Sequence, residues 1–466
     1  EIYTLSLHDA LPIWSALTNE ERIARARKAM DEIKDYTQEQ VDKLVYEAAK
    51  IIYKNAEPLA KMAVEETGLG CVEDKIGKNT DTPATFWDYL KDKKSVGIIS
   101  ECKETGIMEV AHPVGVVAGI TPATNPTVTP LGNCMHTLKG KNALIICPAP
   151  RAKKTSTKTV ELIREAITKC GAPADLVQII EAPTIELSAE LMKMCDFIIA
   201  TGSSALTKAA YSSGTPAYGV GPGNPPVIID NDYDLDSAIE MSIVAIGADN
   251  GILCDGDNLL LYPEGKEAEV FDGFRKRGVP IYEDPAVIAK FREVLFVDGV
   301  ANPHYVGKDA NVIAEAAGVD MPAGTKVFAL KLNAVGNADV LCHEIMGPVV
   351  ILKSYDTFEN AVALAIQNME EAGGIGHTAG IFSNNKAHIE YAGKHIPVAR
   401  LLVNQPTPDA WGPKSNGLSP AVSESCGTWG NNITTANVDY IHLLNIVRVA
   451  MALDVELPDG AKLFAD

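Results

Sequence analysis

Apolar residues recur at helical spacing through the first part of the chain, then give way to short continuous runs. Val41, Leu44, Val45, Ala48, Ala49 and Ile52 fall three or four positions apart, which predicts one buried helix face. Two start signals lie nearby. Thr18-Asn-Glu-Glu21 and Thr37-Gln-Glu-Gln40 read as capping boxes, in which side chains at both ends satisfy free backbone N–H groups. The first opens a charged helix to about Lys34, and Gly68 and Gly70 punctuate the end of a third helical stretch.

Beyond about residue 106 the pattern changes. β-Branched runs at Gly115–Ile120, Ala143–Cys147, Leu176–Ile180, Phe197–Thr201 and Val227–Asp230 alternate with amphipathic stretches such as Ser156–Cys170 and Ile185–Met194. Strands that are apolar on both faces, separated by helices, predict a parallel sheet covered on both sides. A second α/β block is expected to about residue 425, with strands near Asn258–Tyr262, Val327–Leu330, Val349–Leu352 and Arg400–Val403. The tail His442–Ala450 reads as one more strand. No internal repeat, low-complexity tract or long linker interrupts the order.

Composition narrows the function. The 466 residues are 46% hydrophobic and 22% charged, with 41 Lys plus Arg against 61 Asp plus Glu. A formal charge of -20 repels phosphate backbones and anionic headgroups, so neither nucleic acid nor membrane is an expected partner. No apolar run approaches the roughly 20 residues of a membrane-spanning helix. The nine cysteines are odd in number and form no CxxC pair, which disfavours a disulfide framework or zinc cluster and suits a reducing cytosol. Glu1–Ile13, EIYTLSLHDALPI, resembles the in-frame translation of a short-read sequencing adapter and is set aside from the fold. The natural start, with any targeting peptide, is then expected to be missing.

Several residues could carry chemistry. The stretch Phe197–Ile199, Ala200-Thr-Gly202-Ser203-Ser204 and Ala205–Tyr211 reads as a strand, small residues and a helix, either an arrangement whose free N–H groups suit phosphate or an ordinary capped strand-to-helix connection. Gly219-Val-Gly221-Pro-Gly223 is glycine-rich but precedes a strand, so a tight turn is the better reading. Asp230, Asp232, Asp234 and Asp236 alternate without the glycine and closing glutamate of a calcium loop, and are expected at a helix N-terminus. Cys254, within Asp249-Asn-Gly-Ile-Leu-Cys254-Asp-Gly-Asp257, is a candidate nucleophile, although a lone cysteine is more often a small buried hydrophobe. Asn125 in Pro122-Ala-Thr124-Asn125 carries an amide able to stabilise an oxyanion, or is a turn residue. His377 could serve as a base or be a satisfied structural histidine. Glu344 could hold sugar hydroxyls or be a solvated loop charge.

Together these motifs resemble the aldehyde dehydrogenase superfamily. Within it they resemble the coenzyme A-acylating branch and the aldehyde half of bifunctional aldehyde–alcohol dehydrogenases. The resemblance runs through YTQEQVDKL, VEDKIGKN, HPVGVVAGITPATNPT, CPAPRAKKT, ATGSSALTKAAYSSGTPAYGVGPGNPPVIID, DNGILCDGDN, GGIGHTAG and ESCGTWGNN. It implies an α/β architecture: a Rossmann-type NAD-binding domain over 14–100 and 118–230, a catalytic α/β domain over 231–425, and a small β oligomerisation extension from 101–117 and 426–466. It implies Cys254 as nucleophile, Asn125 with the Cys254 N–H as oxyanion hole, and Glu344 on the nicotinamide ribose. It places Gly202 and Ser203 at the pyrophosphate, with Pro122, Thr124 and Gly221 beside the cofactor and His377 assisting thiol deprotonation.

One difference from hydrolytic members is chemically telling. Their E-L-G-G-K-x-P motif supplies a water-activating glutamate, and Gly219 stands at that position here. A thioester on Cys254 is then expected to wait for coenzyme A. Two departures bear on the details. Cys147-Pro-Ala-Pro150 replaces the usual ribose-binding lysine and glutamate, and Arg151, Lys153 or Lys154 could hold a ribose phosphate, so NAD is expected with NADP possible. Asp255 and Asp257 follow the nucleophile directly and would raise its pKa unless they point away. The expected activity is reversible conversion of a small aldehyde, acetaldehyde foremost, with NAD⁺ and coenzyme A to acyl-CoA. Sulfoacetaldehyde or succinate semialdehyde is the alternative substrate, and a structural or cargo subunit of a filament or compartment the third reading. A homodimer or homotetramer is implied, in the cytoplasm or a bacterial microcompartment.

Overall fold

The computed structural model describes residues 17–465, so the adapter-like Glu1–Ile13 lies outside the described residues. Four helices come first: Asn19–Glu32, Gln38–Lys54, Ala56–Thr67 and Val72–Leu90. Thr18 and Thr37 both complete the expected capping boxes, with Glu21 and Gln40 respectively. Gly68, at φ 62°, closes the third helix in the left-handed conformation that costs glycine least.

The first sheet is five-stranded and parallel, in the order Val177–Ile179, Ala143–Pro148, Val116–Thr121, Phe197–Thr201, Ala217–Val220. The chain enters at the centre, builds outward to one edge, then returns to build the other. The reversal point lies between the strands ending at Thr121 and Thr201, where an open α/β sheet leaves a crevice at its carboxyl end.

The second sheet has seven parallel strands in the order Ile281–Tyr282, Phe328–Lys331, Val349–Tyr355, Leu259–Pro263, Pro226–Ile229, Gly376–Phe382, Val398–Val403. Alternate residues of one strand feed opposite cores, Leu259 and Leu261 on one face and Leu260 and Tyr262 on the other. Both faces are covered, which explains why these strands read as continuous apolar runs.

Three details differ from the sequence reading. Pro226–Ile229, expected as the last strand of the first layer, pairs with Leu259–Pro263 and Gly376–Phe382 in the second sheet. Gly219 and Val220, read as a turn, end the edge strand Ala217–Val220. Of the alternating aspartates, Asp234 caps the helix Leu235–Gly247 and Asp236 lies in its first turn. Asp230 instead bonds His388 and Ser383, and Asp232 bonds Asn384.

A third, antiparallel sheet projects from the body: Gly97–Cys102, Ile107–Pro113 and the tail strand Leu444–Ala450. Ile98, Val447 and Val449 are exposed on it. No helix among the described residues is long and apolar enough to cross a membrane.

Candidate active site

A cavity of about 1110 Å³ opens between the carboxyl ends of the first sheet and the segments leading into the second. Pro122, Thr124 and Asn125 follow the strand Val116–Thr121; Gly202 and Ser203 follow Phe197–Thr201; Gly221 follows Ala217–Val220. Cys254 and Glu344 line the same cavity from the opposite side. Eight of the sequence-derived candidates therefore share one cleft. Ser203 caps the helix Ser204–Tyr211, its hydroxyl accepting from Leu206 N–H at 3.3 Å, so that helix start faces the cavity.

The Cys254 segment is held very close to the loop between the sheets. A Cβ built on Gly223 would fall 1.8 Å from the Cys254 carbonyl oxygen, so only glycine permits the approach. The preceding turn is anchored by Asp249, fully buried at φ 51°. Its carboxylate accepts from Lys75 Nζ at 2.8 Å, Lys78 Nζ at 2.6 Å and the Cys71 N–H at 3.0 Å. Lys78 Nζ also donates to Asn125 Oδ1 at 2.9 Å. An ammonium can only donate, so Asn125 turns its oxygen to Lys78 and leaves its NH₂ for another acceptor.

The electrostatics are dominated by carboxyl groups. Burial, then Asp255, Glu424 and Glu344, push the Cys254 thiol well above its ordinary pKa. Burial raises Glu344 to about 8, against one N–H from Gly223. Burial also raises Glu424 to about 7, with Arg400 opposing, and Asp255 is pushed well up by burial and by Glu424. Asp257 points elsewhere, to the Thr407 hydroxyl. Of the two aspartates after the nucleophile, only Asp255 faces the cleft.

His377 and Arg151 do not line the cavity. His377 is fully buried in the strand Gly376–Phe382, with Nδ1 3.0 Å from Thr378 Oγ1. Its ring packs behind Gly223 rather than opening on the cleft. Burial and Arg400 lower its pKa to about 3, so it is a poor base near neutral pH. Arg151 sits exposed beside Gly68, in the turn after Ala143–Pro148. Lys78, Asp249 and Glu424 were not singled out from the sequence, because charged residues acquire these roles only once buried against one another. The quoted motifs VEDKIGKN and ESCGTWGNN contain two of them.

The space beyond Gly219 is filled. A Cβ there would lie 2.6 Å from Thr207 Cγ2 and 2.9 Å from Tyr211 Cε2, while Tyr211 Oη accepts the Gly219 N–H at 2.9 Å.

Residues 13–320 and 329–417 match the aldehyde dehydrogenase family. The chain belongs to that family. It is similar to a succinate-semialdehyde dehydrogenase (acetylating) of Clostridium kluyveri, at 47% identity over 92% of this chain and 94% of that one. Among solved structures it is similar to an acetylating aldehyde dehydrogenase from Geobacillus thermoglucosidasius. That match has a TM-score of 0.90 and 36% identity, over 95% of this chain and 98% of the other. It is also similar to a propionaldehyde dehydrogenase of Rhodopseudomonas palustris with bound CoA and an acylated cysteine. There the TM-score is 0.83 at 25% identity, over 93% and 97% of the two chains. This aldehyde dehydrogenase thus keeps the two-sheet architecture of acylating members along nearly its whole described length.

Proposed function

We propose that the protein is a coenzyme A-acylating aldehyde dehydrogenase that interconverts a small uncharged aldehyde, acetaldehyde foremost, with its acyl-CoA. The observation that carries this reading is the shared cleft: Cys254 and the free amide of Asn125 meet there, while the hydrolytic base position is Gly219 packed against Tyr211. Cys254 Sγ adds to the aldehyde carbon, and the oxyanion is met by Asn125 Nδ2 and the Cys254 N–H. The resulting acyl group remains on Cys254 until the coenzyme A thiol displaces it.

The residues present fit a nicotinamide coenzyme. Glu344, half-buried with one N–H donor from Gly223, has acceptor capacity for ribose hydroxyls, and Gly202 and Ser203 at a helix start suit a pyrophosphate. When bound, the coenzyme supplies the hydride acceptor for the substrate carbon. NAD is our reading. NADP is the alternative that exposed Arg151, Lys153 and Lys154 favour.

The charge of the cleft supports an uncharged aldehyde. Among the described lining residues Lys78 is the one cation, and it is already engaged by Asp249 and Asn125, which leaves no free cation for an anionic aldehyde. The 47% identity to the Clostridium kluyveri protein favours succinate semialdehyde as the second reading. NADH formation from each aldehyde, with and without coenzyme A, for the protein and Cys254→Ala, decides between them. We expect turnover that requires both coenzyme A and Cys254, with kcat/KM at least about tenfold higher for acetaldehyde. A reversed preference would overturn the substrate reading, and sustained turnover without coenzyme A the acylating one.

We also infer a homodimer or homotetramer assembled through the projecting antiparallel sheet, whose outer strands carry unpaired edges and exposed Ile98, Val447 and Val449. All nine cysteines are free, which supports a reducing compartment such as the cytoplasm.

A further inference from the structure

We propose that Glu424 accepts the proton of each attacking thiol, first Cys254 and then coenzyme A, in place of the base absent at Gly219. The inference rests on the acylating reading above. It starts from an anomaly of packing: Glu424 lines the cleft with Cys254, is only 7% exposed, and its Oε2 takes no hydrogen bond among the described residues. A buried carboxylate oxygen without a donor is costly unless a proton or a ligand visits it.

Arg400 does not relieve it. Its Nε stands 3.9 Å from Glu424 Oε2. Its donors instead engage Thr378 Oγ1, Asn437 Oδ1 and the carbonyls of Ser425, His377 and Glu424. The guanidinium therefore steadies the Glu424 backbone and attracts its charge from a distance without capping it.

The other groups facing Glu424 are Cys254 and Asp255 on the nucleophile segment and Cys426 two residues along its own. Glu344 also acts on Cys254, and Lys78 acts on Asp255. Burial raises both carboxyl groups, and the charge of Glu424 raises Asp255 further, so two charges side by side are disfavoured near neutral pH. Glu424, at about 7, is then the group able to take and return a proton. Cys254 needs such a partner, since its surroundings favour the thiol.

The steps balance. As Cys254 Sγ bonds to the aldehyde carbon, its proton passes to Glu424 and the carbonyl electron pair moves to oxygen. Oxidation leaves the thioester, and Glu424 releases that proton to solvent. In acyl transfer the coenzyme A S–H proton passes to Glu424 as the new C–S bond forms. The old C–S pair leaves on Cys254, which then recovers the proton. A carboxyl group near 7 lies within about two units of an ordinary thiol such as that of coenzyme A but roughly nine below water, so it favours the thiol.

The test is Glu424→Gln, an isosteric change, read two ways. Turnover of acetaldehyde with NAD⁺ and coenzyme A should fall about a hundredfold or more. Cys254 alkylation by iodoacetamide at pH 7 should slow severalfold as well, because the acceptor for the thiol proton is gone while burial and Asp255 still favour the thiol. Glu424→Asp should recover at least about a tenth of the turnover. Turnover of Glu424→Gln within about threefold of the parent, or alkylation at the parent's rate, would overturn the proposal. Should Glu424→Gln not fold, the parent's kcat at saturating coenzyme A decides: it should rise with a midpoint near pH 7, and a flat profile from pH 6 to 8 overturns the role. Parent turnover that ignores coenzyme A would overturn the acylating reading itself; the alkylation arm needs no substrate and keeps the two failures apart.

Discussion

On the coenzyme reading proposed above, the half-buried carboxyl group of Glu344 would couple coenzyme binding to pH. In the free protein burial holds its pKa at about 8, so it is mostly protonated at pH 7. Accepting two ribose hydroxyls favours the charged form. Binding should therefore release a proton below pH 8, and affinity for the coenzyme should rise with pH, by up to about tenfold per unit, until about pH 8. Titration calorimetry in buffers of different ionisation enthalpy measures the released proton directly. Glu344→Gln should abolish both the proton release and the slope. Residue-scale meaning of this kind was only partly legible beforehand. Cys254, Asn125 and Glu344 were legible as candidates from residue type plus resemblance, and Asp255 from its place directly after Cys254, whereas Glu424 looks like an ordinary surface acid until its burial is known. His377, read as a base or a structural histidine, lies fully buried in the strand Gly376–Phe382 and outside the cleft lining.

At the scale of elements, the helix Val72–Leu90 matters beyond its packing. Lys75 and Lys78, three positions apart, share the face turned toward Asp249 and reach it together. Asp249→Asn would leave two ammonium groups facing an uncharged amide, one of them on the buried Lys75. The expected cost is about 3–5 kcal/mol, visible as a lowered denaturation midpoint. Lys78→Met should act differently. Lys75 still neutralises Asp249, so stability should change less, while Asn125 loses the donor that orients its amide. We expect kcat to fall about ten- to a hundredfold, more than KM changes, in steady-state assays. The doubly apolar strands announced themselves because two faces are buried. Their partners did not: Gly380 pairs with Val227 across the second sheet, a register no local pattern encodes. Ala217–Val220 was hidden by its glycine, and Pro226–Ile229 could not be assigned to a sheet from periodicity alone.

For the whole molecule, the raised carboxyl groups set an unusual stability profile. Glu344 near 8, Glu424 near 7 and Asp255 well raised bind protons in the fold that the unfolded chain has already lost by pH 6.5. The native state then holds more protons, so stability is lost as pH rises through these values. His136 at about 4 and His377 at about 3 work the other way, but only below their unfolded value of roughly 6.5. Between pH 6.5 and 8 the coenzyme-free protein should become less stable, with its thermal midpoint falling. A scanning-calorimetry series across that window checks the sign. Assembly is tested at the same scale. Val447→Glu with Val449→Glu changes two exposed residues, which in a monomer should shift stability by no more than about 1 kcal/mol. In an oligomer built on that sheet it should shift the mass seen by light scattering toward the monomer.

Tyr211 has a consequence for ancestry and for redesign. Its ring fills the volume beyond Gly219, and its hydroxyl accepts the N–H groups of both Gly219 and Ile433. A carboxylate introduced at position 219 alone would strike that ring before it could serve a water molecule. A lineage moving from this chain toward acid production must therefore make room at Tyr211, and at Thr207 beside it, giving up the two hydrogen bonds of Tyr211 for no catalytic return. The two activities are neighbours in chemistry yet separated by a valley in sequence space, and a selection for hydrolysis should recover changes at 211 and 219 together or not at all.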